Sequence, residues 1–212
     1  MFGDSILDIL RKRGDSLTEG ILVDEGEQTS YCIVLSPRGI DRSFLYNPGA
    51  NDNFQAADIQ EQELSGARFF HFGYPTAIRR IYTDNGIELI KLLQKAKKRG
   101  LTTSLDMAYP DPDTEAGRMD WRAWLSGVLP LVDIFLPSLD EIFFMLDRPR
   151  FEALEKKGRL QIDADLFLSP PPFRVSRKRT LLKCFVTRKE SHPSKYPPGT
   201  LQNSGDLGEL VN

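Results

Sequence analysis

The sequence predicts an α/β protein: a parallel, Rossmann-type sheet with flanking helices, joined to a small antiparallel β patch. Three observations predict it. Residues 67–73 are a short apolar run closed by Gly73, and residues 101–106 and 131–136 repeat the strand-like pattern. Amphipathic segments fill the intervals, and strands alternating with helices at this spacing imply right-handed crossovers and parallel pairing. Residues 21–46 instead hold short β-type runs separated by turns, as antiparallel strands do. A parallel sheet gathers ligands beyond the carboxyl ends of its strands. Asp106 and Asp140/Glu141 fall in that zone.

Taken in order, Ile6, Leu7, Ile9 and Leu10 give residues 2–13 one apolar helical face, and Gly14 is its stop. Residues 21–24, 29–35 and 42–46 read as three strands, with turns at Glu25-Gly26-Glu27 and Pro37-Arg38-Gly39. The middle one alternates Cys32 and Val34 with Tyr31, Ile33 and Leu35, so both faces are partly apolar. Residues 47–52 are a loop by composition. Thr83 is placed to cap a helix running to about Arg99, with Ile87, Leu89, Ile90, Leu93 and Ala96 on its apolar side and Gly100 as its stop. Residues 119–129 form another helix, with Trp121, Trp124, Leu125 and Val128 at core spacing. Ser138 caps a third over 139–146. No internal repeat is present. These elements divide the chain into an N-terminal helix of the core (1–16), an antiparallel β patch (17–51), an α/β core (52–168) and an irregular tail (169–212).

Composition narrows the function classes. The 212 residues carry a formal charge of -2 and 40% hydrophobic residues, which suits one domain and gives no whole-chain reason to expect nucleic acid. No run is long and apolar enough for a membrane span, and the first residues lack a signal-peptide core. Cys32 and Cys184 stand alone, which fits a reducing, cytoplasmic setting better than a disulfide framework. Residues 169–200 differ from the rest, with eight Lys/Arg, one acidic residue and six prolines. That stretch reads as an irregular tail, with a basic interaction arm, for nucleic acid in one reading, or a docked but irregular segment as the alternatives.

No Walker-type or dinucleotide glycine loop and no Gly-x-Ser-x-Gly elbow occurs. His71 and His192 are not at metal spacing, and His71, between Phe70 and Phe72, reads as a satisfied core residue. In order along residues 2–168 stand Phe2-Gly3-Asp4, the β patch 29–46 with Arg42, Asn47-Pro48-Gly49-Ala50-Asn51, Phe70-His71-Phe72-Gly73-Tyr74, Ala96-Lys97-Lys98-Arg99-Gly100, Ser104-Leu105-Asp106 and residues 133–141. That ordered series resembles the PfkB carbohydrate kinase family, also called the ribokinase family, in which the β patch corresponds to a lid. The resemblance implies a ribokinase-like fold, incomplete here, with ATP as phosphoryl donor, Mg²⁺ as cofactor and a sugar or sugar-acid hydroxyl as acceptor.

Site roles follow from the resemblance, each beside a plainer one. The family's Pro-Asn-x-x-Glu motif appears as Pro137-Ser138-Leu139-Asp140-Glu141, so Glu141 is the candidate Mg²⁺-linked carboxylate or else a first-turn helix acid. Ser138 stands where the family has asparagine, as a nucleotide-side residue or a plain N-cap. Asp106 faces the nucleotide side or fixes its own loop. Gly49 and Asn51 match the family's sugar-side Gly-Ala-Asn, or shape a turn. Arg42 reads as a lid surface charge or a contact for an acidic sugar group.

The family's Asp-Thr-x-Gly-Ala-Gly-Asp motif, which supplies the anion hole and the base, has no counterpart beyond a faint echo at Ser204-Gly205-Asp206. Leu181-Leu182-Lys183-Cys184 is similar to the start of the preceding family strand, and the N-terminal sugar-binding glycines are missing. The sequence therefore reads as a kinase shortened at both ends, with no catalytic residue assigned and turnover by these residues alone not expected. The alternative is a non-catalytic interaction or regulatory protein that forms a homodimer through its lid.

Overall fold

Leu101 to Leu136 cross the molecule twice in the same direction because each return is made by a helix, and that repetition builds the main sheet. The computed structural model describes residues 2–39 and 42–155. The tail at 169–212, with the strand-like run at 181–184 and Asp206, lies outside these residues, as does the last part of the expected core, 156–168.

Helix α1 (Phe2–Arg11) leads to β1 (Tyr31–Leu35) and β2 (Ser43–Asn47). These two strands pair antiparallel, Ile33 opposite Leu45, in a sheet of their own. Then follow β3 (Phe69–Phe72), α2 (Arg79–Tyr82), α3 (Ile87–Lys98), β4 (Thr102–Leu105), α4 (Trp121–Val128), β5 (Ile134–Phe135), α5 (Leu139–Leu146) and α6 (Arg148–Glu155). The second sheet has the order β3-β4-β5, parallel throughout, with His71 beside Ser104 and Leu105 beside Phe135. The mixed α/β architecture, the small antiparallel sheet and the parallel core are as the sequence predicts.

Helices close over the sheet through apolar side chains at helical spacing. Leu89, Leu92 and Leu93 of α3, Trp124 and Leu125 of α4 and Phe143 of α5 are almost fully buried around Leu105 and Phe135. This is one contiguous core. Asp133 ties the start of β5 to its neighbours: it pairs with Lys97 and accepts the Thr103 N–H at 2.8 Å. Burial works against this carboxylate, but the Lys97 ammonium and the Thr103 donors outweigh it and hold its pKa below the ordinary 3.8. A carboxylate with a lowered folded pKa contributes stability above its unfolded value and loses it as pH falls. Asp133→Asn should therefore flatten the stability profile below about pH 4, read from urea midpoints across the acid range.

Several local expectations are corrected. Residues 21–24 form no strand: they are exposed, and the chain turns at once, Gly26 N–H donating to Asp24 Oδ1 at 3.0 Å. Helix α3 starts at Ile87 and not after Thr83, because Asp84, Asn85 and Gly86 take positive φ (49°, 52° and 76°) and break the helical run. The Thr83 hydroxyl bonds back to Arg79 O at 2.9 Å, closing α2 instead of opening α3. His71 is satisfied, its Nδ1 lying 2.7 Å from Ser104 Oγ, but it is exposed and not in the core. Strand alternation turns Phe69 and His71 outward while Phe72 is buried.

Candidate functional site

The carboxyl ends of the three parallel strands open into one cleft of about 330 Å³, lined by Tyr74, Asp106, Met107, Leu136, Pro137, Ser138 and Glu141. Each comes from the turn after a strand. Tyr74 follows β3, Asp106 and Met107 follow β4, and 136–138 follow β5 and enter α5. Crossed backbone bonds hold the turns together: Asp106 N–H donates to Phe72 O at 2.9 Å, Tyr74 N–H to Asp106 O at 3.2 Å and Leu136 N–H to Leu105 O at 2.9 Å.

Ser138 and Glu141 form a reciprocal cap on α5. Ser138 N–H donates to Glu141 Oε2 at 2.7 Å, and Glu141 N–H donates to Ser138 Oγ at 3.3 Å. The cap occupies one Glu141 oxygen, while the carboxylate still lines the cleft. Burial raises the Glu141 pKa above its ordinary value; the bonds from Ser138 oppose that rise, and the charges of Asp106 and Asp140 add to it. Asp106 also uses Oδ1 to accept Met107 N–H at 2.9 Å, which fixes its own turn. Ser138→Ala removes the cap acceptor and should cost about 1 kcal/mol, measured by urea unfolding.

Does this pair suit a metal ion? Among the described residues no group of three His, Cys, Asp or Glu side chains is placed to hold one. An all-protein cage is therefore absent there. Mg²⁺ that keeps most of its waters and arrives on phosphate oxygens needs only one or two carboxylates, and Asp106 with Glu141 meets that requirement.

Gly49 and Asn51 do not line the cleft. Gly49 has φ +49°, and a Cβ there would lie 2.1 Å from Gln28 O, so the bare backbone makes room for the chain approaching β1. Ala50 N–H donates to that same carbonyl at 2.8 Å. Asn51 hydrogen-bonds the Tyr46 phenol, whose pKa burial raises and Asn51 pulls back. Tyr46 in turn donates to Ala77 O at 3.3 Å, tying β2 to the core. Arg42 stacks over Phe44 at 5.7 Å.

Tyr74, like Met107 and Leu136, lines the cleft with no role expected from the sequence. Tyr74 has φ 58°, a left-handed conformation costly for a bulky side chain, and the residue is 56% exposed. The available signal was an aromatic wedged between Gly73 and Pro75 at a strand end.

A three-stranded parallel sheet with flanking helices and a separate two-stranded antiparallel sheet make up a ribokinase-like fold. Residues 1–162 match the pfkB family carbohydrate kinase profile. The chain belongs to that family. Among solved structures it is similar to a fructokinase from Xylella fastidiosa (23% identity, TM-score 0.56, covering 75% of this chain and 51% of that one). The same fructokinase with bound ATP matches at 22% identity and TM-score 0.56, covering 74% and 48%. A ribokinase from Giardia lamblia matches at 20% identity and TM-score 0.51, covering 80% and 44%. The chain spans about half the length of these structures. No curated protein matches in sequence. Among the described residues no helix is long and apolar enough to cross a membrane.

Proposed function

We propose that this chain carries the nucleotide-side half of an ATP-dependent sugar kinase site, for a sugar or sugar-acid hydroxyl, with Mg²⁺ riding on the nucleotide. The observation that carries the reading is the shared cleft: Asp106 and Glu141 both line it beyond the ends of β4 and β5, where open parallel sheets receive ligands. Mg²⁺, when bound, supplies charge neutralisation for the phosphoryl oxygens. Glu141 presents a carboxylate oriented by its cap; Asp106 adds a second acid on the same rim. Ser138, fixed as a cap, orients Glu141 and faces the nucleotide side. On the sugar side, Gly49 and Asn51 sit at the junction of lid and core, where Asn51 has an amide suited to a hydroxyl.

The 212 residues contain no Asp-Thr-x-Gly-Ala-Gly-Asp run to stabilise the transferring phosphoryl group and take the acceptor proton. Binding without turnover is the consequence we propose for this chain by itself. The test is titration calorimetry with ATP, with and without Mg²⁺, alongside a coupled ADP-release assay on a panel of hexoses, pentoses and sugar acids. Mg²⁺-dependent ATP binding with no ADP release supports the reading. Absence of ATP binding refutes the site, and robust ADP release refutes the inactivity.

A second reading is favoured by one specific observation. Ile33, Val34, Leu35, Phe44 and Leu45 are all about half exposed or more, so the lid shows apolar side chains on both faces. Surfaces of that kind are commonly buried against a partner, and the proposed partner is a second copy meeting lid to lid. Ile33→Glu with Leu45→Glu alters one cross-strand pair and leaves the core untouched. Light scattering should show a dimer that the double substitution converts to monomer; a wild-type monomer would overturn the reading.

A further inference from the structure

A second cavity, of about 300 Å³, lies where the loop leading into α4 meets the end of α5, and three arginines line it: Arg118, Arg122 and Arg148. Two of them cross-brace its walls. Arg122, on α4, donates to Leu146 O at 2.7 Å at the end of α5, and Arg148 donates back to Gly117 O at 2.7 Å before α4. The walls between them are Met119, Trp121, Phe144 and Met145, with Arg148 stacked over Phe144 at 4.9 Å. Apolar walls with a few convergent polar groups are the usual make-up of a small-molecule site.

Charge there is positive on balance. Among the lining residues three guanidiniums stand with one acid, Asp120, whose Oδ1 accepts Ala123 N–H at 3.0 Å; outside the lining, Glu152 pairs with Arg148 at 2.6 Å and Glu115 is within electrostatic reach of Arg118. Arg118 commits one N–H to Asp113 O at 2.7 Å, and the rest of its fork remains for a ligand. Guanidinium forks match the paired oxygens of carboxylates and phosphates better than any other side chain does. Gly117 is confined by the same construction, since a Cβ there would lie 2.2 Å from Asp111 O. The loop that presents Arg118 therefore has little room to rearrange.

We propose that this cavity binds a small organic anion, a carboxylate or a phosphate ester with a flat apolar body, separately from the cleft at the strand ends. The aromatic walls take the body and Arg118 closes on the anionic group.

The test uses the full chain at constant ionic strength, with calorimetric titration of phenyl phosphate, benzoate and benzyl alcohol. Saturable binding of at least one anion, weakened about tenfold by Arg118→Ala and further by Arg118→Glu, is the expected result. Phenyl phosphate binding more tightly than benzoate identifies a phosphate-bearing ligand; the reverse order identifies a carboxylate. Arg118 is exposed and braces neither wall, so both variants should keep the wild-type melting temperature. Equal binding of benzyl alcohol, no binding of either anion, or anion binding unchanged in both Arg118 variants would overturn the proposal. Because ATP is not used, these outcomes are independent of the kinase-site reading.

Discussion

Replacing Trp124 with alanine should remove about 3–5 kcal/mol of stability, the range for deleting a buried tryptophan. The indole is fully buried, packs edge-on to Trp121 at 5.3 Å between ring centres, and donates from Nε1 to Ile81 O at 3.2 Å. Its loss leaves a large cavity and takes the indole donor from that carbonyl. Set against total stabilities of about 5–15 kcal/mol, this is enough to unfold a marginal domain at 37 °C. The measurement is the urea midpoint at constant m-value; a loss below about 1.5 kcal/mol would show that α4 is not central to the core. Gly86 supplies a cross-check. A Cβ there would lie 2.6 Å from Trp124 Nε1, on a residue with φ +76°. Gly86→Ala should therefore cost less in the Trp124→Ala background than in the wild type, because the clash has gone and only the left-handed strain remains.

Glu141→Gln should separate stability from binding. Glutamine keeps an oxygen for Ser138 N–H, so the cap on α5 survives. Burial holds the Glu141 pKa above its ordinary 4.5. The sign follows directly: a carboxyl with a raised folded pKa favours the fold below pH 4.5 and loses that contribution as pH rises through the folded value. At neutral pH the charged form is the disfavoured one, and Gln removes it. The variant should melt at or above the wild-type temperature at pH 7, and its advantage should vanish near pH 4. Mg²⁺-dependent ATP binding should nevertheless weaken by roughly tenfold or more, since the neutral amide is a poor Mg²⁺ ligand. Loss of stability with binding intact would assign Glu141 to the cap alone.

How much of this was legible in the sequence follows from the range of the forces involved. Parallel β3, β4 and β5 were readable because each apolar run is short, bounded and followed by a helical pattern. Asp106, Ser138 and Glu141 were readable as rim residues because strand ends in such a sheet converge. The start of α3 was not. Thr83 is a good cap by composition, but Trp124 packs against Gly86 and the chain there takes a left-handed turn through Asp84 and Asn85, a tertiary effect no local propensity reports. Residues 21–24 have strand-like composition but no neighbouring strand, so pairing never forms. Gly49 illustrates a different limit. Its need for a bare backbone was visible, but that the close neighbour is Gln28 was not. Tyr74 was hidden because a positive φ at tyrosine runs against its own preference.

The proposed kinase site requires Asp106 and Glu141 to form one metal-linked nucleotide rim. Paramagnetic line broadening by Mn²⁺, added with ATP to isotope-labelled chain, reads that geometry residue by residue. The predicted result is ATP-dependent broadening centred on Tyr74, Asp106, Met107, Ser138 and Glu141, abolished in Glu141→Gln. Broadening centred elsewhere, or identical in the variant, would contradict it.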